Sequence, residues 1–125
     1  MNLYKLHSKP ETLLNYENNY KVPAIAWDII KRTKTQEERQ KYEQYIKYDG
    51  EIAINYALRY LGGERFIAAE PYIMKNPGSA SLYAHHIIKG RWLEAEDIIK
   101  QDPSVWKFYK MDFGMNNSGW EDELI

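Results

Sequence analysis

The chain has 125 residues, 44% of them apolar, with 17 basic and 18 acidic side chains and a formal net charge of −1. That length fits one domain able to bury roughly two thirds of its unfolded surface, and the even charge gives no global field to draw the chain onto nucleic acid or a membrane. The absence of cysteine excludes disulfides, thiolate metal sites and cysteine nucleophiles, and no run reaches the roughly 18 apolar residues of a membrane span.

The opening residues, Met1 to Lys5, lack the apolar run of a signal peptide, so a cytoplasmic chain is expected. Helices are predicted near 10–17, 23–33, 36–48, 51–61, 64–75, 77–89, 91–101 and 103–111. Thr35 followed by Glu38 reads as a capping box, each side chain returning to the other's backbone amide. Gly62, Gly63 and Gly90 fall where apolar periodicity stops, the place of left-handed C-terminal glycines. Pro71 lies past the first turn of its helix, which predicts a kink or a later start. Asn76 before Pro77 and Asp102 before Pro103 pair an Asx cap with a first-turn proline that has no amide to satisfy. Ala80, Tyr83, Ala84, Ile87 and Ile88 then keep one helical face, as do Trp92, Ala95, Ile98 and Ile99. No segment alternates with period two for long enough to be a strand.

The elements repeat. A shift of 26 places Arg65 on Arg91, Phe66 on Trp92, Glu70 on Glu96, Ile73 on Ile99 and Tyr83 on Tyr109. Backwards the step is 27, bringing Glu43 to Glu70, Ile46 to Ile73, Gly50 to Pro77, Ala53 to Ala80, Tyr56 to Tyr83 and Ala57 to Ala84. A further 27 takes Ala53 to Ala26 and Gly50 to Pro23. The predicted fold is therefore all-α: tandem helix–turn–helix repeats of about 26–27 residues stacked as a short α-solenoid. The units lie near 16–42, 43–69, 70–95 and 96–111, so 1–111 is the repeat domain and 112–125 an acidic C-terminal tail. Equivalent positions face one interior, so Ala53, Tyr56, Ala57, Ile73, Ala80, Tyr83, Ala84 and Ile99 are expected in the core. Trp106 replaces the alanine in the last unit.

The stretch from Glu70 to Pro77, then Tyr83 and Ala84, then Ile88 to Glu96, resembles a short helical repeat of tailed-bacteriophage and some bacterial proteins, roughly "YA…IKGRWPEAEPYIMKDP". The likeness covers about 43–110. It departs at Leu93, Asp97 and Asn76, where the repeat has Pro, Pro and Asp, changes that keep helix-start chemistry. The resemblance implies a helical repeat and a phage origin, and no reaction.

Candidate chemistry is sparse. His85 and His86 are neighbours, about 100° apart on a regular helix, so they cannot grip one metal as i, i+4 histidines do; one surface and one semi-buried histidine are expected. Glu94, Glu96 and Asp97 suit a helix N-terminus, and a catalytic group has no reason to recur as Glu70 and Glu96 do. Arg65 and Arg91 are placed to pair with Glu70 and Glu96. No phosphate loop, nucleophile elbow or paired-histidine zinc motif occurs, so no enzyme, cofactor or metal is expected.

Recognition is therefore assigned to residues outside the recurring positions. These include N-terminal Tyr4, Lys5 and His7, the basic-aromatic stretch with Arg32, Lys34 and Tyr42, and the tail with Trp120, Glu121 and Asp122. Trp120, followed directly by Glu121 and Asp122, reads as an interface anchor, although a disordered end or a cap on the last repeat stays open. The expected function is binding of a protein partner, a host protein if the chain is phage-encoded, with inhibition of a host defence system as one subclass. The alternative is nucleic-acid binding through 31–48, where bases would stack on the tyrosines. An enzyme with an unrecognised site is the remaining class; a homo-oligomer is open, and no membrane role is expected.

Overall fold

The computed structural model describes residues 21–115. Eight α-helices follow one another: α1 Lys21–Arg32, α2 Gln36–Gln40, α3 Glu43–Ile46, α4 Gly50–Tyr60, α5 Glu70–Ile73, α6 Pro77–Tyr83, α7 Glu96–Ile99 and α8 Pro103–Asp112. Among the described residues there is no strand. No helix of the described residues is long and apolar enough to cross a membrane. The predicted helix at 10–17, with Tyr4, Lys5 and His7, lies outside the described residues.

Helix starts follow the Asx and Thr signals. Thr35, Asp49, Asn76 and Asp102 accept amides of the first turns of α2, α4, α6 and α8, each cap stabilising its helix by about 1 kcal/mol. The long helices α1, α4, α6 and α8 touch in that order, and α3, α5 and α7 pack against α1, α4 and α6. The core lies between these sets. Ala26, Ala53, Ala80, Ile46, Ile73, Ile99, Tyr56, Tyr83 and Tyr109 are all fully buried, as are Ala57 and Ala84, and Trp106 is 2% exposed. Alanine where long helices meet lets their backbones approach. At Gly50 an added Cβ would sit 3.1 Å from Ile73 Cα, so the proline found at positions 77 and 103 would need Ile73 to shift there.

Four predicted helices break or end differently. The 36–48 segment divides at Lys41 and Tyr42, whose amides reach back three residues to Glu38 and Arg39 rather than four. In 64–75 and 91–101, Phe66 and Trp92 are not helical; a 3-10 turn follows at Ile67–Ala69 and Leu93–Ala95 before α5 and α7 begin. The amides of Phe66 and Trp92 are taken by tyrosine hydroxyls instead of helical carbonyls. Pro71 accordingly sits in the first turn of a late-starting α5. Beyond Tyr83, α6 widens into a π-turn at Ala84–Ile88 closed by a 2.7 Å bond from the Lys89 amide to the Ala84 carbonyl. Lys89, not Gly90, takes the left-handed conformation, at φ 60°, a strain of about 1–2 kcal/mol for a residue with a side chain. Gly62 and Gly63 have the expected positive φ. The fold also continues past 111: Asp112 ends α8, Phe113 packs edge-on against Tyr109 and Met115 is buried.

Candidate functional site

The recurring charged residues form a clamp. Arg65 donates Nε and Nη2 to the two Glu70 carboxylate oxygens at 2.7 Å each. Tyr83 donates its hydroxyl to Glu70 at 2.7 Å and accepts the Phe66 amide at 2.7 Å. Twenty-six residues on, Arg91, Glu96, Tyr109 and the Trp92 amide repeat it at 2.7–2.9 Å. Burial pushes the Tyr83 and Tyr109 hydroxyls well above their ordinary pKa, and the carboxylate partners push the same way. Burial also acts to raise Glu96, but the Arg91 and Tyr109 hydrogen bonds outweigh it and hold the carboxyl below its usual range. Both carboxylate oxygens of each glutamate accept within the clamp, so the arrangement fastens each 3-10 turn to the following long helix. The first such pair is simpler: Tyr56 donates to Glu43 at 2.6 Å and accepts from Gln36.

The opposite faces of α4, α6 and α8 look different. Leu82 and Phe108 directly precede the buried tyrosines Tyr83 and Tyr109, about 100° round the helix, and are 53% and 66% exposed. Leu58 and Met111 are 42% and 63% exposed. Two open depressions of about 530 and 540 Å³ lie on this side. The first, between α6 and α8, is walled by Leu82, Phe108 and Met111 with His85 and Asp112. The second, between α4 and α6, holds Leu58, Asn55 and Glu51. They share Leu82 and His86, so the two depressions adjoin and together make a groove that spans three helices. The π-turn brings both histidines to this face, where their rings meet edge-on at 4.6 Å. Both are exposed, which corrects the expectation that one is semi-buried. His85 Nδ1 lies 2.6 Å from Asp112, tying α6 to α8 at the groove's rim.

No family model, curated protein or solved structure matches this chain. The groove therefore has to be read on its own chemistry. Among the described residues no cluster of metal-ligating side chains occurs. What the surface offers is contiguous apolar area with a polar margin, the character of an interaction site, and burying each large apolar side chain against a partner is worth about 1.5–3 kcal/mol.

Of the residues expected at the site, Arg32, Lys34 and Tyr42 are described, and none of them lines the groove. Arg32 is exposed near Asp28, 3.6 Å away, and Lys34 is exposed in the loop before α2. Tyr42 is 4% exposed and belongs to the core, so it is not a surface contact; its ring lies against Tyr45, itself buried. Trp120, Glu121 and Asp122 lie outside the described residues. The groove residues escaped the sequence reading because recurrence was equated with packing. Leu82 and Phe108 recur 26 residues apart, yet they fall off the buried stripe, and a large apolar residue repeatedly off that stripe is the signal that finds them.

Proposed function

We propose that the chain is a short α-solenoid of 26–27-residue units that binds a protein partner through the groove across α4, α6 and α8. The observation that carries this is the continuous exposed apolar wall of Leu82, Phe108 and Met111. The two clamps at a 26-residue offset support the repeat register. The resemblance of 70–96 to a phage repeat makes the partner a protein of the bacterial host. A small protein without chemistry acts there by occupancy, as an inhibitor of a host defence system does. The nucleic-acid reading has less to stack on, since Tyr42 and Tyr45 of its three tyrosines are buried and Tyr48, half-buried, lies edge-on against Tyr72.

Phe108→Ser with Met111→Ser should leave the melting temperature within about 2 °C, as surface changes do. The same double variant should lose a host protein that the unaltered chain captures from bacterial lysate. Ile67→Ser with Leu93→Ser, exposed on the 3-10 turns, serves as the control and should retain it. Capture that survives the Phe108 and Met111 changes would remove the groove from recognition.

A further inference from the structure

The row of helix ends that borders the groove, extended by one helix to α1, changes character from α1 to α8, and the change bears on the class of segment the surface takes; this rests on the partner-binding reading above. The last outward positions of the long helices are Lys31 and Arg32 on α1, Leu58 and Arg59 on α4, His85 and His86 after α6, and Met111 and Asp112 on α8. Lys31 Nζ and the Arg59 guanidinium each lie 5.6 Å from the Trp27 ring centroid, so α1 and α4 bring two cations beside one ring. Arg32 is offset by Asp28, 3.6 Å away, and Asp112 is hydrogen-bonded to His85. Among the described residues neither Lys31 nor Arg59 is ion-paired to a carboxylate. One end of the surface is therefore cationic, and the other, at Leu82, Phe108 and Met111, is apolar.

We propose that this surface takes an extended peptide segment of the partner, acidic at one end and bearing large apolar side chains at the other. Its carboxylates meet Lys31 and Arg59, and its Leu, Phe or Trp side chains enter between α6 and α8. Neighbouring helices are about 8–10 Å apart, so α1 to α8 spans about 24–30 Å. An extended chain covers that in about seven to nine residues at about 3.3 Å each.

Random dodecapeptides displayed on a carrier and selected on the full chain test this directly. Selected peptides should concentrate Asp and Glu at one end and aromatic or Leu residues at the other. Lys31→Glu with Arg59→Glu should weaken them about tenfold or more and flatten their salt dependence. Lys31→Glu alone, on an exposed last turn, should move binding the same way and covers the case in which Arg59→Glu loosens the fold. Phe108→Ser with Met111→Ser should abolish binding. Peptides with no acidic end, or binding that ignores the charge reversals while failing in the Phe108 variant, overturn the acidic partner and leave the groove standing. No selection, or selection indifferent to Phe108 and Met111, overturns the groove reading and this proposal with it. A single-stranded oligonucleotide that displaces the peptides would give the cationic end to nucleic acid and overturn the proposal too.

Discussion

Ile73→Ala should destabilise the protein by about 2–5 kcal/mol, the range for emptying a buried Ile side chain. Ile73 is fully buried, and its Cα lies where a Cβ on Gly50 would come within 3.1 Å. Such close backbone packing cannot collapse into the vacated space, which places the cost towards the upper part of the range. Lys34→Ala, on an exposed loop residue, should cost less than about 0.5 kcal/mol. Denaturant midpoints measured side by side decide the matter. Shifts of similar size for the two would show that the core register described above is wrong.

The second large effect is alkaline. Burial, reinforced by hydrogen bonding to Glu43, Glu70 and Glu96, raises the hydroxyls of Tyr56, Tyr83 and Tyr109 well above 10.0. The folded state thus prefers the protonated phenols more strongly than the unfolded chain does. Their stabilisation is whole below the unfolded value near 10 and is lost as pH rises from there towards the folded values. Each contributes a slope of about 1.4 kcal/mol per pH unit, and the three together about 4. Against a net stability of about 5–15 kcal/mol, that slope should bring on unfolding at alkaline pH, above about pH 10. Tyrosinate absorbance and far-ultraviolet circular dichroism followed together would show part of the tyrosine signal arriving only with loss of helix. All 11 tyrosines ionising near pH 10 with the helix signal intact would sink the prediction.

Much of the architecture was legible because it rests on local chemistry. Thr35, Asn76 and Asp102 announced helix starts through the amides they accept, and the core positions expected from the 26–27-residue spacing, Ala53 to Ile99, are fully buried. The breaks in the helices were not legible, because they depend on partners distant in sequence. Phe66 and Trp92 leave the helix when a tyrosine 17 residues on takes their amides, a competitor that helical periodicity does not register. The same holds for the π-turn, where a five-residue bond from Lys89 to Ala84 moves the left-handed residue one place ahead of the glycine. The candidate site was least legible. Composition drew attention to Tyr42, yet its position in the turn between α2 and α3 directs it into the core. Leu82, Phe108 and Met111 looked like more of the same hydrophobic content until their faces were known.

The clamp also bears on how the chain finds its structure. Its partners stand 5, 13 and 17 residues apart, so closing one ties together only a short loop, and the entropy lost grows just slowly with that length. Once Glu70 is held by Arg65 and Tyr83, the turn before α5 and the start of α6 are joined without waiting for distant parts of the chain. The Arg91 clamp forms by the same local closure further along. A topology assembled from such near-neighbour closures has low contact order, which belongs with microsecond-to-millisecond folding. Little unsatisfied backbone is then exposed while the chain is being made.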